Sequence, residues 1–200
     1  MTTVTQFALM TAGLLAVFGG LEVLVRRGHL GSEWGRRASH VAACVYAIGI
    51  YTVLHPWWFV VVAATFTVAM VVSKLLNLIH SIHGTRRSTW GEVYLPLGLG
   101  LTAVITGQEL RAFVVAALVL GLADVAAGVV GDLRGSPVKT WGGSIACLVV
   151  TGAIFLGARA GVPLSLVAAV AVAAVERISP RGLDNVTMPL LSAALLLTFE

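Results

Sequence analysis

The stretch GLADVAAGVVGDLRGSPVKTWGGS (121–144) combines two carboxylates and a lysine with an apolar run. Asp124 lies inside the apolar half, between Ala123 and Val125. An ionisable side chain at membrane depth costs roughly 3 kcal/mol on insertion scales, which makes it a candidate functional residue. The alternative is a carboxylate near a helix end, hydrated by a cavity or hydrogen-bonded to a neighbour.

Asp132 follows Asp124 by eight residues. On one continuous helix the two side chains would be about 80° apart in azimuth and roughly 12 Å apart along the axis. They could then not share one metal ion directly. A helix end at Gly131 would let Asp132 fold back, or each aspartate could serve its own ion or phosphate. Carboxylates together with phosphate oxygens suit Mg²⁺, so Asp124 and Asp132 are the candidate metal ligands.

Four glycines are spaced along the same stretch, at positions 121, 128, 131 and 135. Gly121 and Gly128 fit a helix-packing face. Gly131 and Gly135 fit a turn whose backbone N–H groups could meet a phosphate.

Lys139 lies in a glycine-rich loop that leads into the next apolar run. A lysine at a helix start combines a point charge with the positive end of the helix, which favours an anion. The alternative is a basic anchor on the cytoplasmic side of a membrane. Thr140, Gly143 and Ser144 follow in the same loop.

Other polar residues are found near the ends of the apolar runs. Glu92 could be catalytic or only a carboxylate in a first helical turn, and Asp184 with Asn185 could be site residues or helix caps. His40 could be a base or an interfacial histidine. The remaining candidates are Arg36, Arg87 and Glu176.

The composition indicates an integral membrane protein. Of 200 residues, 58% are hydrophobic and only 11% are charged, and the mean hydropathy is +0.95. Soluble domains carry about 25% charged residues. The net charge of +4 comes from basic residues in short loops, so no nucleic-acid partner is expected. Both cysteines lie in apolar runs, which excludes a disulfide framework or a cysteine zinc site.

The apolar runs predict an all-α, polytopic membrane bundle in a single domain covering residues 1–200. Three of the runs are short of a full crossing, so the count is seven to eight transmembrane helices. The first run is expected to be retained, because no basic segment precedes it. The predicted spans are Thr5–Val25, Ser39–Leu54, Trp57–Ile79, Val93–Thr106, Arg111–Gly131, Gly142–Ala158, Val162–Ile178 and Val186–Phe199.

The basic residues predict the orientation. With the N-terminus outside and all eight runs crossing the membrane, only Arg111 and Arg159 of the 13 lysines and arginines lie outside, which agrees with the positive-inside rule. All four polar segments then face the cytoplasm, and a bacterial or archaeal plasma membrane is the expected location. Trp57 and Trp58 would be interfacial anchors.

The order of these motifs resembles the CTP-dependent polyprenol kinases, which include dolichol, phytol and farnesol kinases and the yeast-type diacylglycerol kinase. The resemblance covers about Gly35 to Leu190. It rests on GRRASH, RRSTWGEVYLPLG, LADVAAGVVGDLRGSPVKTWGGS and ERISPRGLDNVTMPL. The family often has an acidic residue before the second loop glycine, where this chain has Gly142.

The resemblance implies transfer of the γ-phosphate of CTP to a lipid hydroxyl with Mg²⁺ as the cofactor. CTP and a membrane lipid alcohol are then the partners, and the oligomeric state stays open. Asp124, Asp132 and Lys139 would hold the CTP phosphates and the metal. Thr140, Gly143 and Ser144 would shape the same phosphate-binding loop. The residues implied to complete the cytoplasmic face are Arg36, His40, Arg87, Glu92, Glu176, Asp184 and Asn185.

Two other functions fit parts of the pattern. A phosphatidate cytidylyltransferase also uses CTP, but its C-terminal Lys-Arg and Lys-Asp pairs do not occur here. A small transporter would also place charges and glycines within the membrane, although near its midplane rather than at one face. The motifs of serine hydrolases, zinc proteases and P-loop NTPases do not occur in the sequence.

Overall fold

The computed structural model describes residues 2–76, 90–133 and 138–199, and these residues form eight helices without a β-strand. We number the helices α1 to α8 in chain order. They are α1 (Thr3–Arg26), α2 (Ser32–Val53), α3 (Pro56–Leu75), α4 (Gly91–Thr106), α5 (Leu110–Leu133), α6 (Trp141–Gly157), α7 (Val162–Ile178) and α8 (Asp184–Phe199).

Local sequence accounts for several helix starts. The ring of His55 accepts a hydrogen bond from the backbone N–H of Trp57, and Pro56 opens α3, where a missing N–H has no cost. The hydroxyl of Thr140 caps α6 by accepting a hydrogen bond from the N–H of Gly143 at 3.1 Å. These caps fix where the polar loops give way to apolar helices.

Helix α5 is the central element of the bundle. Its Phe113, Ala117 and Leu120 pack into an apolar cluster with α2, α3 and α4. Its Val115 and Val119 belong to a second cluster, with α6, α7 and α8. Half of the apolar window of α5 is buried, against 6% for α1, so α5 joins the two halves of the bundle and α1 lies at the periphery.

Three helices are long and apolar enough to cross a membrane: α1, α3 and α5. Helices α4, α6 and α8 are also apolar but have only 16 or 17 residues. The all-α class is therefore confirmed, with three candidate membrane spans.

Two features differ from the predictions. Helix α2 begins at Ser32 rather than near Ser39, because the polar GRRASH segment is itself helical. Helix α5 continues past Gly131 to Leu133, so the predicted turn that would fold Asp132 back is wrong. A π-helical turn at Val119–Ala123 also interrupts α5 immediately before Asp124. Residues 77–79 of the third predicted span lie outside the described residues.

Candidate functional site

A large polar cavity lies at one end of the bundle, where α2, α4, α6 and α8 begin and α5 and α7 end. Its volume is about 1090 Å³. Among the described residues, five carboxylates and five cations line it, and we call it the charged cavity. These are Glu33, Asp124, Asp132, Glu176 and Asp184, with Arg36, Arg37, Lys139, Arg177 and Arg181.

Most of the residues singled out from the sequence meet at this cavity. Those on its wall are Asp124, Gly128, Gly131, Asp132, Lys139, Thr140, Gly143, Arg36, His40, Glu176, Asp184 and Asn185. Ser144 lies behind the wall, and its hydroxyl donates to Glu176 Oε2 at 3.3 Å. Glu92 is not on this wall; it forms an ion pair with Lys74. Gly135 and Arg87 lie outside the described residues.

Lys139 lies just before α6 and contacts acidic residues of both α7 and α8. Its Nζ lies 2.5 Å from Asp184 Oδ2 and 3.1 Å from Glu176 Oε1, and it also donates to the backbone carbonyl of Glu176. Burial disfavours the ammonium form, but the carboxylates of Asp184 and Glu176 outweigh that effect and hold the pKa of Lys139 above its ordinary value. Lys139 is therefore a fixed positive charge beside the cavity.

Asp124 of α5 and His40 of α2 face each other. His40 Nε2 lies 3.9 Å from Asp124 Oδ2 and 3.0 Å from the backbone carbonyl of Leu120. Leu120 belongs to the π-helical turn, a distortion that is often found at functional sites. The geometry holds the Asp124 carboxylate at the cavity, with its side chain about 20% exposed.

Asp132 has a different partner from Asp124. Its carboxylate accepts a hydrogen bond from the guanidinium of Arg37, whose side chain is almost wholly buried. Arg37 also lies 3.7 Å from the position that a Cβ on Gly128 would occupy. The two aspartates therefore contact different basic residues of α2: Asp132 contacts Arg37 and Asp124 lies near His40.

The start of α6 packs closely on α5. A Cβ on Gly143 would lie 2.7 Å from the backbone oxygen of Ala127, so only glycine fits there without a shift of the helices. Gly131 is buried inside α5, near the hydroxyl of Thr140. Gly143 is therefore a packing residue, and its N–H is engaged by the Thr140 cap.

Asn185 connects α8 to α4. Its Nδ2 donates to the backbone carbonyl of Gly91 at 2.8 Å. Its Oδ1 is buried and makes no hydrogen bond within the described part of the chain. A Cβ on Gly98 would lie 2.1 Å from the backbone oxygen of Asn185, so α4 and α8 meet backbone to backbone.

A second, narrower cavity adjoins the charged one, and we call it the apolar groove. Its volume is about 90 Å³, and α1, α2, α3 and α4 line it together with Asn185 at the start of α8. Glu92 of α4, which is absent from the wall of the charged cavity, lines this groove. Most of its lining is hydrocarbon, from Leu14, Phe18, Ala43, Tyr46, Ala47, Phe59, Val62, Ala63, Phe66, Met70, Leu95, Pro96 and Leu99. Four residues belong to both cavities: Arg36, His40, Gly91 and Asn185.

Two arginines that line the charged cavity, Arg37 and Arg177, were not among the candidates from the sequence. Arg37 pairs with Asp132, and Arg177 stacks its guanidinium 3.9 Å from the ring centroid of Trp141. Arg37 Nε and Arg177 Nη1 are buried without a hydrogen-bond partner in the described residues. Their positions in the sequence could have indicated them, because each lies close to a candidate residue. Arg37 precedes His40 by three residues, and Arg177 directly follows Glu176.

The described residues contain no group of three or more histidine, cysteine, aspartate or glutamate side chains placed to hold a metal ion. Mg²⁺ commonly takes only one or two carboxylates and completes its shell with water and substrate phosphates. Asp124 fits such a limited role better than Asp132, whose carboxylate is paired with Arg37. Comparison of the chain with protein-family models, with curated proteins and with solved structures finds no match.

Proposed function

We propose that this protein is a CTP-dependent lipid kinase that transfers the γ-phosphate of CTP to the hydroxyl of a membrane isoprenoid alcohol or diacylglycerol. One observation carries the proposal: a charged cavity and an apolar groove share Arg36, His40, Gly91 and Asn185. A water-soluble nucleotide and a lipid substrate need such a junction. The motif order of the sequence supplies the particular chemistry.

The proposed setting is a polytopic membrane protein with seven to eight crossings, its N-terminus outside and its active site facing the cytoplasm of a bacterium or archaeon. Three long apolar helices support a membrane location. The basic residues that line the charged cavity support the cytoplasmic side, since cytoplasmic loops carry the excess of lysine and arginine.

In the proposed reaction, Lys139 and the positive end of α6 bind the nucleotide phosphates. Bound Mg²⁺ would neutralise phosphate charge, with Asp124 as its protein ligand. The alcohol oxygen forms a bond to the γ-phosphorus while the bond from that phosphorus to the β,γ-bridging oxygen breaks. CDP leaves with the bridging oxygen, and a carboxylate of the cavity takes the hydroxyl proton.

The decisive experiment supplies the purified protein in mixed lipid with Mg²⁺ and with CTP labelled on the γ- or the α-phosphate. Phytol, a polyprenol, diacylglycerol and phosphatidate serve as separate acceptors. Label from the γ position in an organic-soluble product is the expected result. Label from the α position would indicate a cytidylyltransferase instead, and folded protein that labels no lipid would overturn the proposal in favour of a transporter.

The site assignment has its own test in Asp124→Asn. The variant keeps the size of the side chain and removes the charge, so we expect phosphate transfer to fall by at least about 100-fold. Ser165→Ala on α7 is a control far from the charged cavity and should transfer phosphate normally. Full activity of Asp124→Asn would remove Asp124 from the proposed mechanism.

A further inference from the structure

The apolar groove exists because of how the first four helices pair. Helix α1 packs mainly on α2, while α3 packs mainly on α4. Leu14 and Phe18 of α1 and Val62, Phe66 and Met70 of α3 therefore face each other across a gap. The floor of this gap is made by small side chains of α2, at Ala43 and Ala47.

Two residues that line the groove each carry a buried polar atom without a hydrogen bond in the described residues. They are Ser39 Oγ and Asn185 Oδ1, and the two residues are only 4% and 6% exposed. The assignment of the Asn185 oxygen is fixed, because its amide nitrogen faces the carbonyl of Gly91, which can only accept. Such atoms cost free energy unless a partner is supplied.

The two atoms select the chemistry of that partner. Asn185 Oδ1 accepts hydrogen bonds only, whereas a serine hydroxyl both donates and accepts. A neutral hydroxyl can donate to Asn185 Oδ1 and accept from Ser39 Oγ, so it suits both atoms. A carboxylate or an ionised phosphate offers acceptors only and would leave Asn185 Oδ1 without a hydrogen bond, although Arg36 also lines the groove.

We propose that the apolar groove binds the hydrocarbon chain of a single-chain lipid alcohol, with the hydroxyl held by Asn185 Oδ1 and Ser39 Oγ at the junction with the charged cavity. This assignment rests on the proposed kinase function, for which it defines the acceptor site. The groove has less than a tenth of the volume of the charged cavity, and we take one chain as its occupant.

Ser39→Ala is the sharpest kinetic test, because within the described residues the Ser39 hydroxyl makes no hydrogen bond that the substitution would break. Loss of one hydrogen bond to the substrate should raise KM for the alcohol about five-fold. The KM for CTP and the thermal midpoint should not change. An unchanged KM for the alcohol would show that Ser39 does not contact the substrate.

The groove itself is tested by Ala43→Leu, which fills its floor, with Ala64→Leu as the matched control on an exposed face of α3. We expect the KM for a single-chain alcohol to rise at least ten-fold in Ala43→Leu and to stay at the wild-type value in Ala64→Leu. Equal kinetics in both variants, or equal use of diacylglycerol and single-chain alcohols by the wild type, would overturn the proposal.

A photolabelling experiment separates this proposal from the kinase function, because it needs no turnover. The probe is a long-chain alcohol that carries a diazirine at its tail, added to wild-type protein without nucleotide. Label on Leu14, Phe18, Phe66 or Met70 that decreases in Ala43→Leu supports the groove even if no phosphate is transferred. Label confined to outward positions such as Val61 and Val68 would overturn it even if the kinase reaction is observed.

Discussion

In the charged cavity four of the five carboxylates, all except Asp124, pair with an arginine or a lysine, whereas in the apolar groove Ser39 and Asn185 keep buried oxygen atoms without a partner in the described residues. The ion pairs of the cavity stabilise the helix ends before any ligand arrives, although Arg37 Nε and Arg177 Nη1 lack a hydrogen bond in the described part of the chain. The two oxygen atoms of the groove are the ones that the proposed ligand would satisfy. The cavity should therefore respond to mutation through both stability and activity, and the groove through substrate affinity alone.

Among the variants that test this difference between the two cavities, Lys139→Ala is expected to have the largest effect, on phosphate transfer. Removing the ammonium leaves Glu176 and Asp184 facing each other without their cation, which should lower the free energy of unfolding by about 2 kcal/mol. Phosphate transfer should fall by about 1000-fold. Thermal unfolding and the γ-label assay measure the two effects, and Lys139→Arg should keep most of the stability.

The opposite result for Lys139→Ala would contradict the difference drawn between the charged cavity and the apolar groove. If Lys139→Ala keeps full stability and loses only activity, the ion pairs of the cavity do not hold the helix ends together. The lysine would then act on the ligand alone, as the groove atoms are proposed to do.

An effect smaller than the 1000-fold loss of phosphate transfer, although the largest on stability, is expected at the boundary between the two cavities. Gly98→Ala would place a Cβ 2.1 Å from the backbone oxygen of Asn185 and force α4 and α8 apart, at a cost of about 3 kcal/mol. Gly13→Ala in α1, where no atom lies within 4 Å of the added Cβ, is the matched control and should be nearly neutral. Similar melting temperatures for the two variants would contradict the close α4–α8 contact.

The Arg37–Asp132 pair tests the cavity at a site away from Lys139. Arg37 is almost wholly buried and Asp132 is partly exposed, so we expect a coupling free energy of about 1 kcal/mol. A double-mutant cycle with Arg37→Gln and Asp132→Asn measures it through chemical unfolding. Strict additivity of the two single variants would mean that the pair does not connect α2 to α5.

The smallest effect concerns pH. The folded state raises the pKa of Lys139, so its ion pairs contribute full stability below the ordinary lysine pKa of about 10.4. That contribution should be lost as the pH rises through the higher pKa of the folded state. Unfolding measured from pH 8 to 11 should therefore show a steeper alkaline decrease for the wild type than for Lys139→Ala, and parallel curves would contradict the raised pKa.

Much of the fold follows from the sequence, because long apolar runs and few charges leave helices as the only elements that satisfy the backbone in a membrane. The ends and irregular turns of the helices were harder to predict. The predicted span began at Ser39, yet the arginines of GRRASH also belong to α2, where Arg37 pairs with a carboxylate on α5. The π-helical turn before Asp124 has no signature in the apolar letters VLGLA.

The site was predicted in part for a similar reason. Charged residues in a membrane chain are few, so Asp124, Lys139 and Glu176 attract attention without a structure. The groove did not, because alanines such as Ala43 look like ordinary packing residues in the sequence. Only the pairing of α1 with α2 and of α3 with α4 turns them into the floor of a cavity.

Gly182 constrains the length of the segment that leads into α8. It adopts a φ of +90°, and a Cβ there would lie 2.6 Å from the backbone nitrogen of Gly91, so the segment before α8 is fixed against the start of α4. Helix α8 begins two residues later, at Asp184. One residue inserted between them would rotate Asp184 and Asn185 by about 100° and turn both away from their partners. The length of this short segment therefore sets the angular phase of α8, and a single-residue change in length should be more damaging there than most substitutions.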